Sequence, residues 1–277
     1  MHVLQRLRRP APVAGLPQLW RRTGPPTHPT TGQAGELPRI DRARVQAFRL
    51  RDNRLNSPNL PSHGSGTDTS ILLIESLNFA YPDQSPLVTD WSAAISPGIT
   101  LLYGDTGSGK STLVRVMAGA LPASGHLTLA GARLAGDRAT YQRNVFFCDP
   151  ATDAFDQLTA RACTDLLIGG DARFSPARWQ TLVDGFALAP HLDKPMYMLS
   201  TGSKRKVGLA AALASGRPMT LLDEPTGALD AASTRCLWRT LTDIAAQADR
   251  AVVIASSERI DQVPLMDTIE LPLAVQG

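Results

Sequence analysis

An α/β fold with a mostly parallel sheet is predicted by three features of the 277-residue sequence. From Ser70 onward, short apolar runs alternate with longer stretches of helical periodicity, the texture that parallel strands and crossover helices produce. A glycine-rich turn, Gly104 to Ser111, separates an apolar run from a helical one. About 70 residues of helical character lie between the runs at 144–148 and 218–223. That is too many for one crossover helix and predicts an inserted α-helical subdomain at about 151–216.

The elements follow in order. Strands are predicted over 71–76, 87–95, 99–103, 126–130, 144–148, 218–223 and 251–255, each a short apolar run bounded by turn residues. Helices are predicted over 110–121, 158–168, 176–187, 203–215 and 231–247. Ser175-Pro176 is a strong helix opening, with serine as cap and proline in the first turn.

Residues 1–69 differ from residues 70–277. They hold eleven arginines and no lysine against four acids, a surplus of seven positive charges, whereas the whole chain carries +3. Nine of the 21 prolines also fall there. With apolar residues too sparse to offset ordering entropy, this segment is expected to be mostly disordered. Within it, Val45, Phe48 and Leu55 would share one face of a helix over 43–55 ringed by arginines, suited to anionic lipid or nucleic acid; the plainer alternative is a solvated basic tail. No apolar stretch follows Arg8 and Arg9, so a secretory signal is not expected. The three cysteines, Cys148, Cys163 and Cys236, are too far apart for a disulfide framework or a metal-site spacing, which fits a cytoplasmic compartment. No run approaches the roughly 18–20 apolar residues needed to span a bilayer, so another chain would have to cross it.

Three motifs carry chemistry. Gly104-Asp105-Thr106-Gly107-Ser108-Gly109-Lys110-Ser111 fits G-x-x-x-x-G-K-[ST] between a strand and a helix, where glycines let backbone N–H groups converge on phosphate oxygens at a helix N-terminus. Lys110 would reach the β- and γ-phosphates, Ser111 would place its hydroxyl on Mg²⁺, and Thr112 would bond near the α-phosphate. Second, the run 218–223 ends in Asp223-Glu224, delivering two carboxylates to a sheet edge: Asp223 to hold Mg²⁺ through its water shell, Glu224 to act as general base on water. Third, Leu199-Ser200-Thr201-Gly202-Ser203-Lys204-Arg205-Lys206 opens a helix about 20 residues before that pair.

In this order the motifs resemble the ATP-binding cassette ATPases, whose L-S-G-G-Q signature is approximated by Leu199 to Ser203. The resemblance runs from about Ile71 to Leu271, and the spacing is similar to that of compact exporter-type cassettes such as heme-exporter subunits. It implies a P-loop NTPase core with a mostly parallel sheet, an N-terminal antiparallel β part and an inserted helical subdomain in 70–277. Tyr81 stands where the family stacks a ring on adenine, Thr226 to Asp230 resembles its D-loop, and Leu158 to Arg161 resembles the start of its helical subdomain. Two cassettes would pack head to tail, so that Ser200, Gly202 and Ser203 of one contact the ATP held by the other. The partners implied are a second cassette, identical or different, and a separate transmembrane permease, with this chain peripheral on the cytoplasmic face of the inner membrane. Nucleic acid is not expected, because residues 70–277 are net acidic.

Three departures from the family pattern stand out. Its Gln after strand 144–148 falls here on Asp149 or Pro150; a carboxylate at Asp149 would approach the metal but cannot donate an amide hydrogen bond. Its His near the γ-phosphate is replaced by Ser257, which brings no positive charge to the transition state. Thr201 and Ser203 replace a signature glycine and glutamine. Slow hydrolysis by a transporter subunit is therefore expected, the alternatives being a non-transport ATPase or a degenerate regulatory cassette.

Overall fold

The protein is described by a computed structural model over residues 70–149 and 152–273. The expectations for residues 1–69, the 43–55 helix among them, and for Pro150 lie outside the described residues.

Two sheets organise the chain. Strands β1 (Leu72–Phe79) and β2 (Val88–Ile95) form an antiparallel pair. With β4 (Ser124–Leu129) and β5 (Ala132–Arg133) they make a four-stranded antiparallel sheet in the order β2-β1-β4-β5. The second sheet contains β3 (Gly98–Tyr103), β6 (Val145–Phe147), β7 (Met219–Asp223), β8 (Ala251–Ser256) and β9 (Asp267–Glu270). Its order is β6-β7-β8-β3-β9 and every pair in it is parallel.

The α-helices are α1 (Lys110–Met117), α2 (Arg138–Asn144), α3 (Ala160–Leu167), α4 (Pro176–Gly185), α5 (Thr201–Ala214) and α6 (Ala231–Ala245). Alternation along the strands sends side chains into two cores. Leu102, Leu221 and Val253 join α1 and the apolar face of the antiparallel sheet, where Ile74 and Leu129 are fully buried. Leu101 and its register partner Ile254, together with Ile99, join α4, α5 and α6 through Phe186, Leu213 and Leu241. A strand buried on both faces must be apolar throughout, as Ala251-Val252-Val253-Ile254-Ala255 is. Each fully buried Val or Ile there contributes about 1.5–3 kcal/mol.

The structure corrects several element boundaries. Strand β1 runs on to Phe79, past the expected end at 76, because a bulge at Glu75-Ser76, with Ser76 at a φ of 47°, interrupts its alternation. Helix α1 stops at Met117 instead of 121: Gly119, at a φ of 67°, turns the chain, and Ala120 N–H bonds back to Arg115 O. Three elements went unforeseen. Helix α2 buries only Tyr141, so it has no apolar period to read, although Asp137 caps it through Thr140 N–H. Strand β5 is only two residues long, and β9 fully buries none of its four. Between β6 and β7 the expected helical stretch consists of α3, α4 and α5 with two single 3₁₀ turns, and Ser175 caps α4 through Arg178 N–H.

Candidate functional site

The parallel register brings three chain segments to one sheet edge. Tyr103 lies beside Ser256 and Asp223 beside Ala255, so the loop after β3, the Asp-Glu pair after β7 and Ser257 after β8 emerge together at the carboxyl ends of neighbouring strands. Loop residues 106, 107 and 109–112 face Glu224 and Ser257 across an open cavity of about 430 Å³.

The loop is shaped for an anion. Gly107 and Gly109 adopt φ values of 85° and 97°, which a residue with a Cβ resists. At Gly104 a Cβ would lie 2.9 Å from Leu271 O, so the loop also needs a bare backbone where it starts. Helix α1 begins on Gly109 with no side-chain cap, whereas Asp137, Thr159, Ser175, Ser200 and Asp230 cap the other five described α-helices. Its first-turn N–H groups are thus left for a ligand, and phosphate fits them.

Lys110 is buried at 6% exposure and donates from Nζ to Gly104 O at 2.6 Å and Asp105 O at 2.9 Å. The same ammonium is 3.8 Å from Glu224 Oε1. Asp105 also accepts Ser108 N–H at its carbonyl, which closes the loop. Ser108 Oγ and Asp223 Oδ1 are buried with no partner among the described residues. An orphaned carboxylate oxygen at this edge fits the hydration shell of a divalent cation.

Glu224 stands in the left-handed region at a φ of 44°. Its N–H donates to Ala255 O, and its carboxylate accepts Ser257 N–H at 2.8 Å. Ser257 therefore meets Glu224 through its backbone.

Tyr81 donates or accepts a 3.0 Å bond between its hydroxyl and Thr112 Oγ1 and packs edge-on to Phe79, leaving 39% of its surface exposed beside the loop. Ser200 caps α5, accepting Ser203 N–H at 3.1 Å and meeting Ser203 Oγ at 3.0 Å. Gly202 is required where it is: a Cβ there would lie 2.4 Å from Ala228 O in the turn that resembles a D-loop.

Asp149 departs from expectation. Its carboxylate is held by Arg115 of α1, Nε to Oδ2 at 3.0 Å and Nη2 to Oδ1 at 3.3 Å, and neither Asp149 nor Asp223 lines the cavity between the loop and Glu224. That bond, working against partial desolvation, keeps Arg115 more firmly protonated than a free arginine. A carboxylate already engaged by a guanidinium is a poor metal ligand, which sets Asp149 apart from Asp223 with its unpartnered Oδ1. Asp149 and Asp223 both line a neighbouring cavity of about 350 Å³ under α5, with Cys148 and Cys163. Burial pushes those thiols up to about 11 and about 12, so they remain protonated.

Three contacts at the site were not read from the sequence. Besides Arg115, Arg205 Nη1 donates to Glu224 O, and Lys206 pairs with Asp230 at 2.5 Å. Only the basic run after Ser203 hinted at the last two.

These features define a P-loop nucleotide-binding fold. Residues 88–227 match the family model described as ABC transporter, and the chain belongs to that family as one of its ATPase cassettes. It is 32% identical over 198 residues to ATP-binding cassette sub-family A member 7 of Mus musculus, a match covering 69% of this chain and 9% of that protein. It is 34% identical over 166 residues to the taurine import ATP-binding protein TauB of Pseudomonas entomophila, covering 58% of this chain and 63% of that one. The chain thus spans less than two thirds of the length of either relative. A solved dimeric ATP-binding cassette in a post-hydrolysis state, bound to ADP and Pi, shares the fold with a TM-score of 0.56 at 19% identity, over 68% of this chain and 88% of that chain. These relatives include an import protein, so the matches do not single out the exporter type.

Proposed function

We propose that this chain is the ATP-binding and ATP-hydrolysing subunit of a transporter, working as one of two cassettes on a separate membrane permease. The uncapped N-terminus of α1, facing Glu224 across the cavity, is the observation that carries the reading. Backbone N–H groups of the loop bind the phosphates, and Lys110 turns from the Gly104 and Asp105 carbonyls toward the β- and γ-phosphates. Ser111 and Asp223 would hold Mg²⁺, which when bound would shield phosphate charge and orient the terminal phosphoryl group. Tyr81 offers its ring to adenine.

Glu224 takes the proton from the attacking water. Ser257 N–H and Lys110 hold that carboxylate in place, but Ser257 adds only a neutral amide where a cation would stabilise developing charge. Turnover is therefore slow. Ser200, Gly202 and Ser203 meet the nucleotide of a second cassette, and its departure opens the dimer. The subunit sits peripherally on the cytoplasmic face of the membrane that its permease crosses; no described helix of its own is long and apolar enough to cross one. Residues 1–69 form a basic segment outside the cassette of 70–277, whose helical part is about 151–216. Ser257 also favours a second arrangement, a heterodimer whose other cassette supplies most of the turnover.

The test is Glu224→Gln in the full chain, assayed with and without the membrane protein that co-isolates with it. ATP should still bind while phosphate release falls by about 100-fold. Unaltered turnover in that variant would remove Glu224 from the mechanism, and absent ATP binding by the wild type would remove the reading altogether.

A further inference from the structure

We propose that Arg205 is a positioning residue for Glu224, holding from helix α5 the peptide that carries the general base of its own subunit. The inference rests on the ATPase reading above.

Lys204, Arg205 and Lys206 form one basic run, yet their partners differ in kind. Lys204 pairs with Asp156 and Lys206 with Asp230, both at 2.5 Å. Arg205 is directed at a peptide oxygen, donating from Nη1 to Glu224 O. The approach is built into the chain: a Cβ at Gly227 would lie 2.9 Å from Arg205 Nη1 and 3.3 Å from Glu224 O. Glycine at 227 leaves room for the guanidinium in this position.

Glu224 needs such support because its left-handed φ of 44° is one that a side chain with a Cβ disfavours. Its N–H is fixed by Ala255 O at 2.9 Å, and its C=O accepts Gly227 N–H at 3.1 Å as well as Arg205. Pro225, next in the chain, has no N–H to offer. Arg205 is thus the only side chain among the described residues bonded to this carbonyl. Without it the peptide can rotate toward an ordinary conformation, and the carboxylate swings away from Ser257 N–H.

Arg205 also sits one turn after Ser200 and Gly202. The helix that would meet the partner's nucleotide therefore grips the base acting on its own. Gly202 against Ala228 O and Lys206 on Asp230 make the same connection to the following turn. A shift of the N-terminal end of α5 would reach Glu224 through one guanidinium.

The experiment compares Arg205→Gln and Arg205→Lys in the full chain, each also combined with Glu224→Gln. Three quantities are read: amide exchange without nucleotide in peptides covering 222–229 and 255–259, Mg-ATP affinity, and kcat. For Arg205→Gln, exchange in those peptides should quicken by about tenfold while the rest of the chain is unchanged. Turnover should fall by about tenfold or more with affinity kept within about threefold, the split expected when a catalytic group is misplaced. Arg205→Lys, retaining one donor, should recover most of the turnover. Added to Glu224→Gln, the substitution should lower turnover no further. Unchanged exchange, faster exchange throughout the chain, unchanged kcat, or an equal loss in the Glu224→Gln background would each overturn the proposal. Should the wild type not hydrolyse ATP, the function proposed above fails instead, and the exchange measurement alone decides whether Arg205 holds Glu224.

Discussion

Replacing Arg250 by methionine should destabilise the fold by about 3 kcal/mol, the balance of two opposing effects. Arg250 is 2% exposed and donates to Ala212 O at 2.7 Å, Leu213 O at 3.3 Å and Thr220 Oγ1 at 2.9 Å. Ala212 and Leu213 belong to the last turn of α5, where carbonyls lack intrahelical donors and a cation is favoured. Each of the three bonds has a charged donor, and losing one typically costs about 1.5–3 kcal/mol. Against this stands desolvation. Burial, reinforced by the nearby Arg178 and Arg173 charges and partly opposed by Asp171 and Asp249, pushes the guanidinium pKa down to about 10. Relative to an ordinary arginine this offsets about 3 kcal/mol of the gain.

Methionine replaces much of the aliphatic stem, so the remaining loss comes from carbonyls left without donors. For a domain near 200 residues, about 3 kcal/mol lowers Tm by about 6–12 °C. Urea denaturation followed by circular dichroism gives the free energy, and a thermal melt gives the shift. Arg250→Lys should fall in between, since one ammonium cannot span three acceptors in a planar fork. A loss below about 1 kcal/mol for Arg250→Met would show that water replaces the guanidinium and refute the capping argument.

Other predictions concern the site and the acid limb. Lys110→Ala should weaken Mg-ATP binding by at least about 100-fold, since one positive charge about 4 Å from a phosphate is worth about 4 kcal/mol at an effective dielectric near 20. A change under about threefold in an equilibrium titration would remove Lys110 from the phosphate site. Gly202→Ala brings a Cβ to 2.4 Å from Ala228 O, so the turn at 226–230 must shift. Turnover should drop by about tenfold while the affinity for a single ATP is retained; unaltered kcat would argue against a role for that contact.

Asp171 supplies the pH prediction. Burial by itself would raise its pKa, but bonds from Ser215 Oγ, Gly216 N–H and Arg173 N–H outweigh it and hold the carboxyl below the ordinary value of 3.8. The folded state therefore binds this proton less readily than the unfolded chain. Its stabilising contribution is complete above about pH 4 and is lost as pH falls through the lower folded value. Asp171→Asn should flatten the loss of urea stability between about pH 4 and pH 2. Identical slopes for variant and wild type would refute the assignment.

Much of the fold was legible because it follows from short-range rules. Continuous apolar runs at 99–103, 218–223 and 251–255 became the central strands β3, β7 and β8. Ser175-Pro176 began a helix where its hydroxyl and ring require one. Elements without an apolar period, α2 and β9, stayed hidden because almost nothing on them is buried. The loop 104–112 and the Asp-Glu pair were readable from residue type and order. The partners of Asp149, Glu224 and Arg250 were not. Arg115 is 34 residues from Asp149, Arg205 is 19 from Glu224, and Arg250 is 38 from Ala212. No local pattern selects among the many acceptors at such separations.

By itself the sequence determined a strand, a glycine loop and a lysine opening a helix, followed in order by a capped basic helix and a strand ending in two acids. Those follow from backbone freedom, capping and burial over a few residues. The tertiary structure decided that β3, β7 and β8 end side by side, that Ser257 meets Glu224 through its amide, and that Arg115 engages Asp149 outside the phosphate cavity. Sheet register and charge pairing depend on how distant elements pack, and a guanidinium takes whichever oxygen that packing brings within reach.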